Sequence, residues 1–227
     1  MSANLSGKVA IVTGAGSDVG RASALALAEA GASVVVADLL VEESQETVAL
    51  IGAGDARFVQ TDVSDPASVA RLVTATVERF GRLDVAHNHA DVLGRAARLD
   101  EVSFEEWTRV VGVNLGGVFN GLHAQIPAMR ESGGGSIINT ASVIGPFSLS
   151  NHGPYVAAKY GIIGLTKAAA LEAADDNIRV NSLEMAGPSA QPDPAGIASA
   201  VLWLASDESA AVHGSSLVVD GGLLAHV

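Results

Sequence analysis

The sequence predicts an α/β protein with a doubly wound parallel sheet in a single domain, residues 1–227, and three observations predict it. Short runs that are apolar throughout alternate with longer segments of helical period. The first such run ends in a glycine-rich turn that opens a helix, and no linker, repeat or low-complexity stretch divides the chain. Strands apolar on both faces belong to a parallel sheet covered by helices on both sides, and the alternating rhythm selects the doubly wound class.

The elements follow in order. Val9 to Val12 reads as a buried first strand, and Ala22 to Gly31 carries Ala and Leu at helical spacing. Ser33 to Ala37 is the second strand and Glu42 to Leu50 the second helix. Phe58 to Gln60 is a third strand; Pro66 to Gly81 is a helix with Val69, Leu72, Val73 and Val77 on one face. Leu83 to Asn88 is the fourth strand, followed by a long helical region from Phe104 to Arg130. A strand at Ser136 to Thr140 leads to a helix at Tyr155 to Ala174. Strands at Arg179 to Ser182 and Ser216 to Val219 then bracket a last helix, Gly196 to Ala205.

Composition narrows the function classes. Apolar residues make up 48% and charged residues 17%, which fits a globular chain with a large core. The formal net charge of −12 argues against a nucleic-acid surface, which needs clustered Lys and Arg. There are no cysteines, so disulfides, thiolate nucleophiles and Cys-ligated metals are excluded. The N-terminal residues lack an apolar signal region and no apolar run is long enough for a bilayer, so a cytoplasmic protein without membrane partners is expected.

After the first strand comes Thr13-Gly14-Ala15-Gly16-Ser17-Asp18-Val19-Gly20. Small residues here let backbone N–H groups and a helix N-terminus approach a diphosphate. Asp38 closes the second strand, where a carboxylate accepts the hydroxyls of an adenosine ribose and repels a 2′-phosphate. A helix cap is its plainer reading. Asp62, after the third strand, is placed either near an adenine or as the turn residue of the next helix.

Tyr155 and Lys159 stand one helical turn apart on one face. A nearby cation favours the phenolate, so such a Tyr is expected to exchange protons with a substrate oxygen near neutrality. Ser142 follows the strand Ile137-Ile138-Asn139, at the sheet edge where ligands gather in this class; it also reads as a turn Ser. Asn114, mid-helix, is placed to hold a water on a proton path to Lys159 or to be a satisfied helix Asn.

Together these residues resemble the short-chain dehydrogenase/reductase family over nearly the whole chain. The family's Thr-Gly-x-x-x-Gly-x-Gly is similar to residues 13–20, its Asn-Asn-Ala-Gly to Asn88-His89-Ala90-Asp91, and its Asn-Ser-Tyr-Lys tetrad falls on Asn114, Ser142, Tyr155 and Lys159. The resemblance implies a Rossmann fold and an NAD(H)-dependent oxidoreductase that interconverts an alcohol and a ketone. It makes Tyr155 the acid/base and has Lys159 lower the Tyr155 pKa while holding the nicotinamide ribose. Ser142 would orient the substrate oxygen and Asn114 support a proton relay. Gly14, Ser17, Asp18, Val19, Asp38, Asp62, Val63, Asn88, Ala90, Tyr155, Lys159 and Gly187 would surround NAD. A homo-oligomer, tetramer or dimer, is implied as well.

The departures from the family pattern carry their own expectations. Asp18 and Asp91 stand where the family has Gly, and His89 where it has Asn; each Asp would bring negative charge near the dinucleotide unless turned away. Asp18 also reads as a benign helix-terminal Asp. His87, His89 and Asp91 alternate as metal ligands do, but without a fourth ligand no metal is expected. After Ala186-Gly187-Pro188 the chain runs through Pro192-Asp193-Pro194 almost directly into the last helix, so the substrate lid after residue 188 is expected to be largely absent. That implies an open site for a small-molecule substrate, even a bulky one, with Glu184 and Met185 as candidate lining. Two other readings stay open: a redox-free isomerase, dehydratase or cyclase using Tyr155 and Lys159, and a non-catalytic binding protein on the same fold.

Overall fold

The seven apolar runs assemble into one parallel sheet in the computed structural model, which describes residues 3–52, 54–143, 149–186 and 193–226. The strands are β1 (Val9–Thr13), β2 (Ser33–Asp38), β3 (Ala56–Gln60), β4 (Val85–Asn88), β5 (Gly135–Ser142), β6 (Ile178–Met185) and β7 (Ser216–Val219). Their spatial order is β3-β2-β1-β4-β5-β6-β7, every neighbouring pair parallel. The chain winds outward from β1 to β3, returns, and winds the other way from β4 to β7. The switch between β1 and β4 opens a crevice at the carboxyl ends of the strands, the place where this class binds ligands.

Helices α1 (Asp18–Glu29), α2 (Val41–Ile51), α3 (Pro66–Phe80), α4 (Phe104–Val111), α5 (Gly117–Glu131), α6 (Gly153–Ala173) and α7 (Pro194–Ala205) cover the two faces. Alternation along the strands divides the core. Ile11, Val35 and Ala37 join Leu72, Leu122 and Ile162 on one face, whereas Ala10, Val12, Val34 and Val36 join Leu27, Ile197 and Val201 on the other. Burying each such side chain contributes about 1.5–3 kcal/mol.

The observed elements are longer than the apolar runs at two places that matter. Pairing of β5 with β6 continues through Asn139, Thr140 and Ser142, from Gly135↔Ile178 to Ser142↔Met185. Backbone pairing is indifferent to these polar side chains, and it carries Ser142 to the end of the strand. Helix α1 begins at Asp18 rather than Ala22, because the glycine-rich loop itself supplies the first turn.

The long helical region also differs from a single helix. A π-helical turn at Gly112–Gly116 joins α4 to α5. Asn114 Nδ2 donates to the Val110 carbonyl at 2.8 Å, the acceptor an α-turn would use, and the ladder widens there.

At the amino ends of the central strands, buried Asp84 gathers the Arg82 guanidinium, the Val9 N–H at 3.0 Å and the Lys8 ammonium at 3.4 Å. Burial pushes its carboxyl up, and Arg82 with the Val9 N–H more than offsets this, leaving it below the ordinary carboxylate range. A depressed folded value means the stabilisation is present above the unfolded pKa of about 4 and is lost as pH falls through the folded one. Asp84→Asn is therefore expected to cost about 2 kcal/mol at neutral pH, discounted for the half-exposed cations. Thermal melts should converge for variant and wild type as the solution is acidified; a variant as stable as wild type at pH 7 would contradict this.

Candidate active site

The phosphate-facing end of the cleft is built by close approach. A Cβ at Gly20 would lie 2.0 Å from the Gly14 carbonyl oxygen, so only glycine lets α1 start directly over the loop. Gly14 itself has φ +70°, and a Cβ there would press on the Ala90 backbone at 2.9 Å. Thr13 Oγ1 accepts from the N–H groups of His89 and Ala90 at 2.9 and 3.2 Å, fastening the end of β1 to the turn after β4. Ser17 is the N-cap of α1 without a capping bond from its hydroxyl, and Val19 is buried beneath the loop.

Asp18 is the first residue of α1, exposed, and holds φ +48°. This left-handed conformation is what glycine serves best, and Asp is among the few other residues that adopt it. Asp18→Gly is expected to leave stability within about 1 kcal/mol of wild type. By removing an anion at the cleft mouth it should tighten binding of an anionic dinucleotide about fivefold, checked by calorimetry at low salt; unchanged or weaker affinity would contradict it.

Asp38 Oδ2 accepts from the Gly16 N–H at 2.9 Å and Oδ1 from the Leu40 N–H at 3.1 Å. The carboxylate thus braces the loop and α2 while lining a cleft of about 420 Å³ with Gly14, Asp18, Asp62, Val63 and Ala90. Asp62 gives one oxygen to the N–H and hydroxyl of Ser64, and Asp65, not Asp62, caps α3. Arg21 is spent on the Gly16 and Glu43 carbonyls, the Thr47 hydroxyl and Glu46.

Ser142, Tyr155 and Lys159 converge, all buried, at the carboxyl end of β5 and the start of α6. The Lys159 ammonium lies 5.3 Å from the centroid of the Tyr155 ring and donates to the Thr140 carbonyl at 3.1 Å. Ser142 Oγ donates to the Met185 carbonyl at 3.2 Å.

Asp91 alters the expected electrostatics. Its Oδ2 lies 3.2 Å from Lys159 Nζ and accepts from the Tyr155 hydroxyl at 3.5 Å. Burial raises the Tyr155 pKa, Asp91 raises it further, and a hydrogen bond with Ser142 only partly opposes them. The expectation that Lys159 lowers the Tyr155 pKa is therefore corrected, since Asp91 takes up the cation. Burial pushes Asp91 up in turn, but Lys159 overrides it and holds the carboxyl below its ordinary value.

Two polar side chains near the cluster are engaged by protein. Asn114 clamps the backbone of Val92, donating to its carbonyl at 2.8 Å and accepting from its N–H at 3.2 Å. Asn88 turns its side chain into a buried network with Gln125 and Asn139, which continues to Thr166. Any contact of Asn88 with a cofactor is thereby left to its backbone. This network ties α5 and α6 to the sheet beneath the site; Thr166, two turns beyond Lys159, was its legible signal.

His87 and His89 share the Thr140 hydroxyl at 2.9 and 3.1 Å. Burial lowers the pKa of both, strongly for His87. Among the described residues no group of three or more His, Asp or Glu is placed to hold a metal. Met185 packs into the core and Glu184 pairs within the sheet beside Val218. Gly187 and most of the segment expected to be a missing lid lie outside the described residues, as do residues 144–148.

A sheet with this switch point, a glycine-rich loop and a Ser-Tyr-Lys cluster at its carboxyl edge define a dinucleotide-fold oxidoreductase class. The short chain dehydrogenase family model matches residues 8–190, and the chain belongs to that family. It is 41% identical over 244 aligned residues to the cyclohexanol dehydrogenase of Acinetobacter sp. (strain SE19), covering 97% of this chain and 96% of that protein. It is 38% identical over 246 residues to a 2,5-dichloro-2,5-cyclohexadiene-1,4-diol dehydrogenase of Sphingobium indicum, covering 98% of each. Among solved structures, levodione reductase superposes with a TM-score of 0.93 at 32% identity, covering 99% of this chain and 100% of that one. NAD⁺-bound xylitol dehydrogenase superposes with a TM-score of 0.89 at 29% identity, covering 95% and 98%. The chain is an oxidoreductase of the dehydrogenase type. No helix among its described residues is long and apolar enough to cross a membrane.

Proposed function

We propose that this chain is an NAD(H)-dependent oxidoreductase interconverting a cyclic secondary alcohol and its ketone. The observation that carries the reading is the convergence of Ser142, Tyr155 and Lys159 beside a glycine-built cleft that Asp38 closes. The names of the cyclohexanol and cyclohexadienediol dehydrogenases support a ring alcohol as substrate.

The residues fit a nicotinamide dinucleotide. Gly14 and Gly20 leave room for backbone donors at a diphosphate, and Asp38 is a carboxylate acceptor for ribose hydroxyls. Leu39 and Leu40 follow it, exposed, where a cation would be needed for a 2′-phosphate. Asp62, Val63 and Ala90 line the same cleft. The bound nicotinamide supplies hydride acceptance or donation at its C4 carbon. Tyr155 moves the proton at the substrate oxygen, Ser142 Oγ holds that oxygen, and Lys159 keeps a positive charge beneath it.

Only residues 186–193 lie between β6 and α7. The alignment with the cyclohexanol dehydrogenase runs over more positions than the chain has residues, so that relative carries residues with no counterpart here. The short connection supports a shortened lid and an open substrate face. Exposed Phe104, Trp107 and Phe119 on α4 and α5 support a homo-oligomer.

Asp91 favours one second reading, a redox-free isomerase, dehydratase or cyclase, because it ties up the charge that would activate Tyr155. Cyclohexanol with NAD⁺, monitored for nicotinamide reduction, separates the two. NADH formed in step with cyclohexanone supports the dehydrogenase; product from an alcohol or ketone without dinucleotide supports the other.

A further inference from the structure

We propose that Asp91 is a positioning residue that competes with the Tyr155 phenol for the Lys159 ammonium, so that alcohol oxidation by this chain needs a more alkaline solution than Tyr155 and Lys159 alone would require. The inference rests on the alcohol/ketone reading above and adds a residue to its proton chemistry.

The geometry is built in. Asp91 follows β4, and the chain on both sides of it is fastened. His89 and Ala90 give their N–H groups to Thr13 Oγ1, and Val92 is clamped through its N–H and carbonyl by Asn114. The carboxylate therefore stands at a fixed height over α6. There a single oxygen faces both the Lys159 ammonium at 3.2 Å and the Tyr155 hydroxyl at 3.5 Å. Lys159 is 2% exposed, so its charge has little water to share; Asp91 is 35% exposed and stays charged at the cleft wall.

In alcohol oxidation Tyr155, as phenolate, would take the hydroxyl proton while a bound NAD⁺ would take up the carbinol hydride, leaving ketone, NADH and a phenol. The phenol must then lose that proton to solvent before the next turnover. With Asp91 in place, the phenolate is a second anion beside a first, and the ammonium that would stabilise it is already paired. Carbonyl reduction uses the phenol as donor, the form that Asp91 preserves. The direction of the Tyr155 shift, raised by burial and by Asp91, agrees with this placement. The charged and titratable groups around Asp91 are Lys159, Tyr155 and His89, and His89 in turn faces Asp18 and Asp38.

Asp91→Asn keeps the shape and an acceptor oxygen but removes the charge. With cyclohexanol and NAD⁺, the acidic limb of kcat against pH is expected to move at least about one unit lower, a gain of about tenfold in rate on that limb. Asp91→Gly should move it the same way. Superimposable profiles of wild type and Asp91→Asn would overturn the proposal. A readout without turnover accompanies it, because the chain has only Tyr155 and Tyr160. Phenolate ultraviolet absorbance, with the Tyr155→Phe signal subtracted, should appear at lower pH in Asp91→Asn, and unchanged onset would again overturn the proposal. If neither protein oxidises any alcohol, the alcohol/ketone reading fails while the absorbance titration still decides the role of Asp91.

Discussion

Tyr155→Phe is expected to lower kcat by about 10²- to 10⁴-fold in both directions, the range for loss of a positioned acid/base. The ring itself should stay where it is. It belongs to an apolar cluster with Val110, Val92, Leu93, Leu149 and Val156. Its hydrogen bond to Asp91 is long at 3.5 Å, so removal costs little stability. NADH affinity and melting temperature are therefore expected to match wild type while turnover is lost. Stopped-flow or steady-state assay with a ring alcohol, beside a calorimetric NADH titration, checks this. Near-wild-type turnover by Tyr155→Phe would remove Tyr155 from the chemistry.

Asp38 governs the second large effect. A carboxylate about 4 Å from a phosphate repels it by about 4 kcal/mol per unit charge pair at the effective dielectric of a protein surface. Solvent and rotation at a partly exposed site reduce this, leaving a preference of about a hundredfold for NADH over NADPH, or about 2.7 kcal/mol. Asp38→Asn is expected to cut that preference at least about tenfold, chiefly through tighter NADPH binding. Asn keeps an oxygen for only one of the Gly16 and Leu40 N–H groups, so some loss of NADH affinity from a loosened loop is expected beside the gain for NADPH. Equal binding of the two cofactors by wild type would contradict the assignment, as would a preference unchanged in Asp38→Asn.

The fold was readable because its signals are local. The strands β1 and β2 are apolar on both faces, and Gly14 and Gly20 mark where a helix begins directly against a strand end. Tyr155 and Lys159 were readable for the same reason, since helical spacing alone puts them on one face. The rest depends on residues that meet only across the sheet. Asp91 was visible as an anion near the cofactor, but its pairing with Lys159 follows from the packing of α6 beside the turn after β4. The commitments of Asn88 to Gln125 and of Asn114 to Val92 are of this kind too, as is the sharing of Thr140 between His87 and His89. Identity and spacing do not reveal which of two polar neighbours a side chain chooses, because that choice is made by burial.

The most direct test of the dehydrogenase assignment follows the hydrogen itself. Cyclohexanol carrying deuterium on its carbinol carbon would be incubated with NAD⁺ and the purified protein, and the nicotinamide product analysed by NMR. Deuterium at C4 of NADH on a single face, formed by wild type and not by Tyr155→Phe, is the expected result. Ketone or rearranged product without deuterium in the nicotinamide would contradict hydride transfer and leave Tyr155 and Lys159 as redox-free proton carriers.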